Sequence, residues 1–288
     1  MIDILANFLL SRMVMDGEAV RVGAAVLGTA IAAWYDLTNN RNVPNNFLYA
    51  FLAVALIANA VFFSPQLAPY TFGIAIAVFI IGYLFYRAGY VGGADIYVLT
   101  SIALLVPVFP SYVNAMFNFP VVLSIVISSG VLFALYFLYF ILANIVLRGK
   151  KGKYEYLLLL PAWAILVYFL ASSGIFGPAY IITVSVLVLS SMLFMVYKEA
   201  VTEAMAKKVL LSQVGEEDIA VLELMPELVK KYGIKRLLDE KEILRLKKAK
   251  LKELYVYGDL PPFLPFVLAG LLLCVSVGDV LMFSMRIG

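Results

Sequence analysis

The chain has 288 residues, 64% of them hydrophobic, with 22 Lys and Arg against 19 Asp and Glu, no histidine and one cysteine, Cys274. This composition excludes a disulfide within the chain, Ser-His and Cys-His nucleophilic catalysis, and zinc sites built from histidine or several cysteines. The net charge of +3 is spread among acids and forms no basic stripe for nucleic acid. Any acid-base chemistry must come from Asp, Glu, Lys or Tyr.

The mean hydropathy of +0.97 lies well above that of soluble chains. The apolar residues are gathered in uncharged blocks of about 20, the length that crosses a hydrocarbon core. Asp16, Glu18 and Arg21 interrupt the N-terminal stretch, so no cleavable signal peptide is expected there. In chain order the blocks predict helices over roughly 20–36, 46–64, 69–87, 95–110, 119–147, 155–172, 178–197 and 262–284. Pro107 and Pro110 fall near the end of the fourth, and the fifth is long enough to tilt or project.

Cationic residues orient this map. Arg41, Arg87 and the set Arg148, Lys150, Lys151 and Lys153 all follow odd-numbered helices. The loops Ser64–Tyr70, Ser111–Asn118 and Ser172–Gly177 contain neither Lys nor Arg. The positive-inside rule then predicts both termini outside and the odd connections cytosolic. Segment 198–259 is the one long polar stretch, with 13 Lys/Arg and 12 Asp/Glu. It is expected to form a small cytosolic module, helical or α/β, with helical-looking runs at Val221–Lys231 and Lys241–Leu254 punctuated by Gly215, Pro226 and Gly233. The fold class expected is an all-α polytopic membrane protein of about eight transmembrane helices, with that module inserted before the last helix. Residues 1–197 form the membrane domain and 260–288 the final span.

Asp36, Asp95 and Asp279 fall in or beside apolar blocks, where an ionisable group is costly and marks a candidate site. Asp36 closes the first helix and Asp95 opens the fourth. Two crossings lie between them, so both belong to one membrane face. Asp279 lies some 17 residues into the last helix, about 25 Å along it, and belongs near the opposite face. A carboxylate at a helix C-terminus opposes the macrodipole, so something else must favour Asp36 there. Asp95 has the alternative reading of a plain N-cap.

Gly92, Gly93 and Ala94 precede Asp95 and remove side-chain bulk, either for a simple turn or for close approach of an extended substrate. After Asp36, the polar stretch to Pro44-Asn45 reads as a helix-hairpin loop, with Pro44 and Asn45 starting the next helix.

Together, Asp36 with Pro44-Asn45 and Gly92-Gly93-Ala94-Asp95 resemble the motifs of the archaeal preflagellin and prepilin peptidases, within the type IV prepilin peptidase family of GxGD aspartic proteases. Ala94 stands where that pattern has its second glycine. The stretch Pro262–Gly270 resembles the proline-bearing last helix of the preflagellin branch. Tyr35-Asp36 also matches presenilin-like proteases, but their Pro-Ala-Leu motif is absent. The two Cys-x-x-Cys pairs and methyltransferase activity of many bacterial prepilin peptidases have no counterpart here.

The resemblance implies an intramembrane aspartic endopeptidase with Asp36 and Asp95 catalytic. Gly92, Gly93, Ala94, Pro44 and Asn45 are then the substrate-binding candidates, and no metal or organic cofactor is required. It also implies archaellin- or pilin-like precursors as partners, cut at the cytosolic face of the cell membrane, where the substrate helix rests among lipid and protease helices. A carboxyl pair sharing one proton would activate water and support the oxyanion. Segment 198–259 is a candidate for docking the substrate leader. The competing reading is an ion-coupled transporter using Asp36 and Asp95 as coupling carboxylates. A carrier would favour mid-membrane carboxylates in two related halves, and no such repeat is visible.

Overall fold

The computed structural model describes residues 13–278 apart from 40–41, 114–118, 147–148, 175, 216–217, 250 and 259–260. Helices α1 (Glu18–Thr38), α2 (Asn45–Val61), α3 (Ala68–Arg87) and α4 (Gly93–Leu105) follow through short connections. Helix α5 (Val121–Ile141) continues into a π turn, Leu142–Val146. A 3-10 turn, Tyr154–Leu159, leads into α6 (Leu160–Ser172), and α7 spans Pro178–Met205. The charged segment then carries β1 (Ala206–Leu210), β2 (Asp218–Ile219), α8 (Pro226–Tyr232), β3 (Leu237–Leu238), α9 (Glu240–Lys248) and β4 (Glu253–Tyr257). Helix α10 (Leu264–Ser276) is the last described element. Asp279 lies outside the described residues.

Glu18–Thr38, Ala68–Arg87, Val121–Val146, Tyr154–Ser172 and Tyr180–Met205 are long and apolar enough to cross a membrane; α2, α4 and α10 are apolar but shorter. Leu27, Trp34, Ile57, Leu84, Leu158 and Phe169 point outward and are exposed. Such an apolar exterior suits lipid rather than water. The chain is thus a largely helical membrane protein.

Two expected boundaries move for local reasons. The fourth helix stops at Leu105 rather than near 110, because a residue before proline is pushed out of the helical region. Val106, before Pro107, has φ −127° and ψ 69°. The seventh runs on to Met205, bending at Tyr197 (φ −107°, ψ 16°). Past that bend, Lys198, Glu199 and Glu203 are good helix formers whose charge, not helical propensity, ended the apolar block.

Helix α4 packs against α1, α2, α3 and α5, while α10 sits between α1 and α5. Val98, Ile102 and Leu105 of α4 are fully buried. Tyr97 on α4 meets Tyr49 of α2 and Phe79 of α3 edge-on, at centroid separations of 5.6 and 6.2 Å. Gly270 lets α10 approach α5 closely: a Cβ there would fall 2.8 Å from the Ile125 carbonyl oxygen. Such contacts between small residues are how membrane helices gain packing without a hydrophobic drive.

A buried cation ties one end of the bundle. Arg21 is only 2% exposed. Its guanidinium donates to the Asp16 carbonyl (3.0 Å), Asn59 Oδ1 (3.1 Å), the Leu104 carbonyl (3.2 Å) and the Phe62 carbonyl (3.0 Å). Asn59 Nδ2 donates to the same Leu104 carbonyl at 2.8 Å. The start of α1 and the ends of α2 and α4 are therefore fastened together. The other end of α1 and the start of α4 must then meet at the opposite end.

The charged segment takes the α/β form, one of the two expected of it, and so departs from the all-α class expected of the whole chain. Strands β1 and β4 pair antiparallel from Ala206↔Tyr257 to Leu210↔Glu253, and β2 pairs with β3. The run expected as helix over Lys241–Leu254 ends at Lys248, and Glu253–Tyr257 alternates in burial as a strand does. Its Tyr255, Val256 and Tyr257 are aromatic or β-branched, the residue types that favour strands. Of the run Val221–Lys231, the α-helix begins only at Pro226, since proline fits a first turn but blocks helix before it. Leu238, Leu246 and Leu254 form the buried centre of this module.

The close approach at Gly270 predicts that Gly270→Ala lowers the melting temperature in detergent by a few degrees, at a cost of about 1–3 kcal/mol for overpacking. Gly73→Ala, where the added methyl meets open space, leaves it unchanged or slightly raised. Circular-dichroism melts of the two variants check this.

Candidate active site

The C-terminal turn of α1 closes with the Asn39 N–H donating to the Tyr35 carbonyl at 2.8 Å. Asp36, inside that turn, is 8% exposed. Its Oδ2 accepts the backbone N–H of Leu264 at 3.0 Å, across 228 positions of sequence. Leu264 opens α10, where first-turn amides lack intrahelical partners. Asp36 therefore sits badly for its own helix and well for another, at the positive end of the α10 dipole. This supplies the favourable term that the sequence left missing. Phe263 caps the same turn from within, its carbonyl accepting the Phe266 and Val267 amides at 3.0 and 3.2 Å. Pro265 brings no amide of its own, so the Leu264 N–H is the donor this first turn offers to Asp36 ahead of Phe266.

Asp95 stands in the first turn of α4 and is partly buried. Its Oδ2 accepts the Gly92 N–H at 3.2 Å, the half of a capping box that runs from the third helical residue back to the N-cap; glycine has no side chain to supply the other half. Gly92 is the N-cap, with extended φ −73° and ψ 150°, and a Cβ on it would lie 3.2 Å from Asp95 Oδ2. The missing side chain gives the carboxylate its seat. Gly93 begins the helix, and Ala94 packs against the bundle core. Asp95 is therefore not the N-cap expected of it but the third helical residue, whose carboxylate reaches back to the N-cap amide, and this local role coexists with a second fact. Asp36 and Asp95 lie within electrostatic range of each other, on packed helices.

Pro44 is the N-cap of α2, its carbonyl accepting the amides of Phe47 (2.9 Å) and Leu48 (3.2 Å). Asn45 is exposed at the first position of the helix. Phe47, one turn in, packs on Tyr35 at a centroid separation of 5.9 Å. That contact fixes the Pro44-Asn45 corner beside the last turn of α1. The structure thus brings Asp36, Pro44, Asn45 and the Gly92–Asp95 stretch to one end of the bundle, opposite Arg21. Leu264 escaped the sequence reading. The flanking Pro262 and Pro265 mark a helix start, but no local signal names its acceptor. Among the described residues, no group of three His, Cys, Asp or Glu is arranged to hold a metal ion.

A helical membrane protein that draws two carboxylates from separate helices to one end of its bundle is thereby defined. Residues 24–149 match the model of the type IV leader peptidase family. The matched region holds Asp36, Pro44, Asn45 and Gly92–Asp95 and reaches through α5. The charged module and α10 lie beyond it. No curated protein and no solved structure matches the chain.

The Asp36–Leu264 bond makes a separable prediction. Asp36→Asn keeps an oxygen to accept the Leu264 amide and should melt within a few degrees of the native chain. Asp36→Ala leaves that amide without its acceptor and should cost about 0.5–2 kcal/mol, the usual range for losing a helix cap. Thermal unfolding of both variants in the same detergent is the measurement.

Proposed function

We propose that this chain is an aspartic endopeptidase of the GxGD type, which removes a short basic leader from archaellin- or type IV pilin-like precursors at the cytosolic face of the membrane. The observation that carries the reading is the approach of Asp36 to Asp95 inside the region that matches a leader peptidase family. Two like charges facing each other in a partly buried place oppose double ionisation, so the pair holds one proton. The ionised member takes a proton from water, the water attacks the scissile carbonyl, and the protonated member supports the developing oxyanion. Either aspartate can take either role.

In this reading all eight apolar helices cross or enter the bilayer, both termini lie outside, and the end bearing Asp36 and Asp95 faces the cytosol with the charged module. The bare Gly92–Ala94 stretch and the exposed Asn45 border the path of an extended substrate. The junction between a basic leader and its apolar helix would come level with the carboxylates. The carrier reading uses the same two residues but predicts ion flux instead of cleavage.

Incubating the purified protein with a pilin-like precursor and weighing the products should show leader loss. Asp36→Asn and Asp95→Asn should each lower the rate by more than about 1000-fold while the protein still inserts, as when one member of a catalytic unit is removed. Full activity in either variant rules out the carboxyl pair. Aspartate-dependent proton flux in liposomes without cleavage would favour the carrier.

A further inference from the structure

The connection from α3 to α4 is a tightly built turn. Gly89 has φ +73°, its N–H donates to the Tyr86 carbonyl (2.8 Å), and the Tyr90 N–H donates to the Phe85 carbonyl (3.0 Å). These are the two bonds of a Schellman motif, and the Phe85–Tyr90 ring contact, at 6.5 Å between centroids, supplies its apolar clasp. Only Val91 separates Tyr90 from Gly92, whose amide binds the Asp95 carboxylate. Whatever fixes this turn therefore fixes the seat of Asp95.

The charged module grips the turn directly. The Arg236 guanidinium lies over the Tyr90 ring, 5.2 Å from its centroid. The Arg236 stem lies against Gly89, so closely that a Cβ there would come 3.2 Å from Arg236 Cγ. Gly89 thus serves both a left-handed backbone and a close approach. On the module side Arg236 is well anchored. Its carbonyl accepts the Ala220 N–H at 2.7 Å, and its Nη1 lies 3.8 Å from Glu223 Oε1. Ala220 bridges to Val256 of β4, which ties this corner to the larger sheet. Asp239, the N-cap of α9, also lies within electrostatic range of Arg87, the last residue of α3.

We infer that Arg236 is a positioning residue for Asp95: seated on Tyr90, it holds the Gly89–Gly92 turn and so lets the charged module set the rate of cleavage. The inference rests on the peptidase reading. Arg236 acts through the turn and not on the substrate, so its loss should lower kcat and leave KM nearly unchanged. A module that merely docked the leader would show the opposite split.

The test uses the full-length protein with Arg236→Ala, Arg236→Lys and, from the other side of the contact, Tyr90→Leu. Arg236→Ala and Tyr90→Leu should each lower kcat about tenfold with KM within about twofold, since small misplacements of a catalytic group carry losses of this order. Arg236→Lys keeps a cation over the ring and should recover most of the loss. Hydrogen exchange at the amides of residues 88–95 should quicken in Arg236→Ala and Tyr90→Leu but not in Arg236→Lys. Native kcat in both truncations, a change confined to KM, or unchanged exchange overturns the inference. If the native chain cleaves no precursor, the peptidase reading fails, and the exchange measurement alone still decides whether Arg236 holds the turn.

Discussion

A carboxylate buried at the C-terminal end of a helix stands against the negative pole of that helix and must find its donor elsewhere. Asp36 finds it in the amide of Leu264, and this bond ties the end of α1 to the start of α10. Helix α10 is thereby drawn in between α1 and α5, where Gly270 allows it to lie against the Ile125 backbone. The residue proposed for chemistry is also the residue that closes the bundle. Its oxygen cannot drift without loosening the entry of α10.

The opposite end obeys the same rule with the opposite charge. Arg21 is buried and gathers backbone carbonyls from α2 and α4 together with the Asn59 side chain. Helices α1 and α4, antiparallel in the bundle, are thus pinned at one end by a cation and bring two carboxylates within electrostatic range at the other. Between the pins, the Tyr97 contacts with Tyr49 and Phe79 set the rotation of α4. Rigid helices carrying both acidic groups hold a reacting geometry better than loops do. The turn before Asp95, where the backbone is least regular, is the part that leans on the charged module through Arg236.

Much of this was legible from hydropathy and charge. Counting the two helices between Asp36 and Asp95 was enough to bring them to one end of the bundle, because a chain that runs out and back returns to the end where it began. Of the small residues before Asp95, Gly92 leaves room for the Asp95 carboxylate itself, a local fit rather than an approach by another chain. What escaped the sequence depends on contacts distant in the chain. Nothing near Asp36 names Leu264, and nothing near Arg236 names Tyr90. Arg21 reads locally as an interruption of an apolar run; only the folded bundle supplies the acceptors that bury it. The strands of the module were hidden for a different reason. Strand β4 follows directly on a helical charge pattern, and strands of two to five residues leave too short a period to compete with it.

A carboxyl pair that shares one proton works only while one member is ionised and the other is not. With no histidine in the chain, a pH dependence with two limbs has no imidazole to explain it. The most direct measurement is therefore kcat/KM for leader removal across a broad pH range. The account predicts a single maximum with a fall on both sides. A profile that is flat, or that falls on one side only over the range where the protein stays folded, would contradict it.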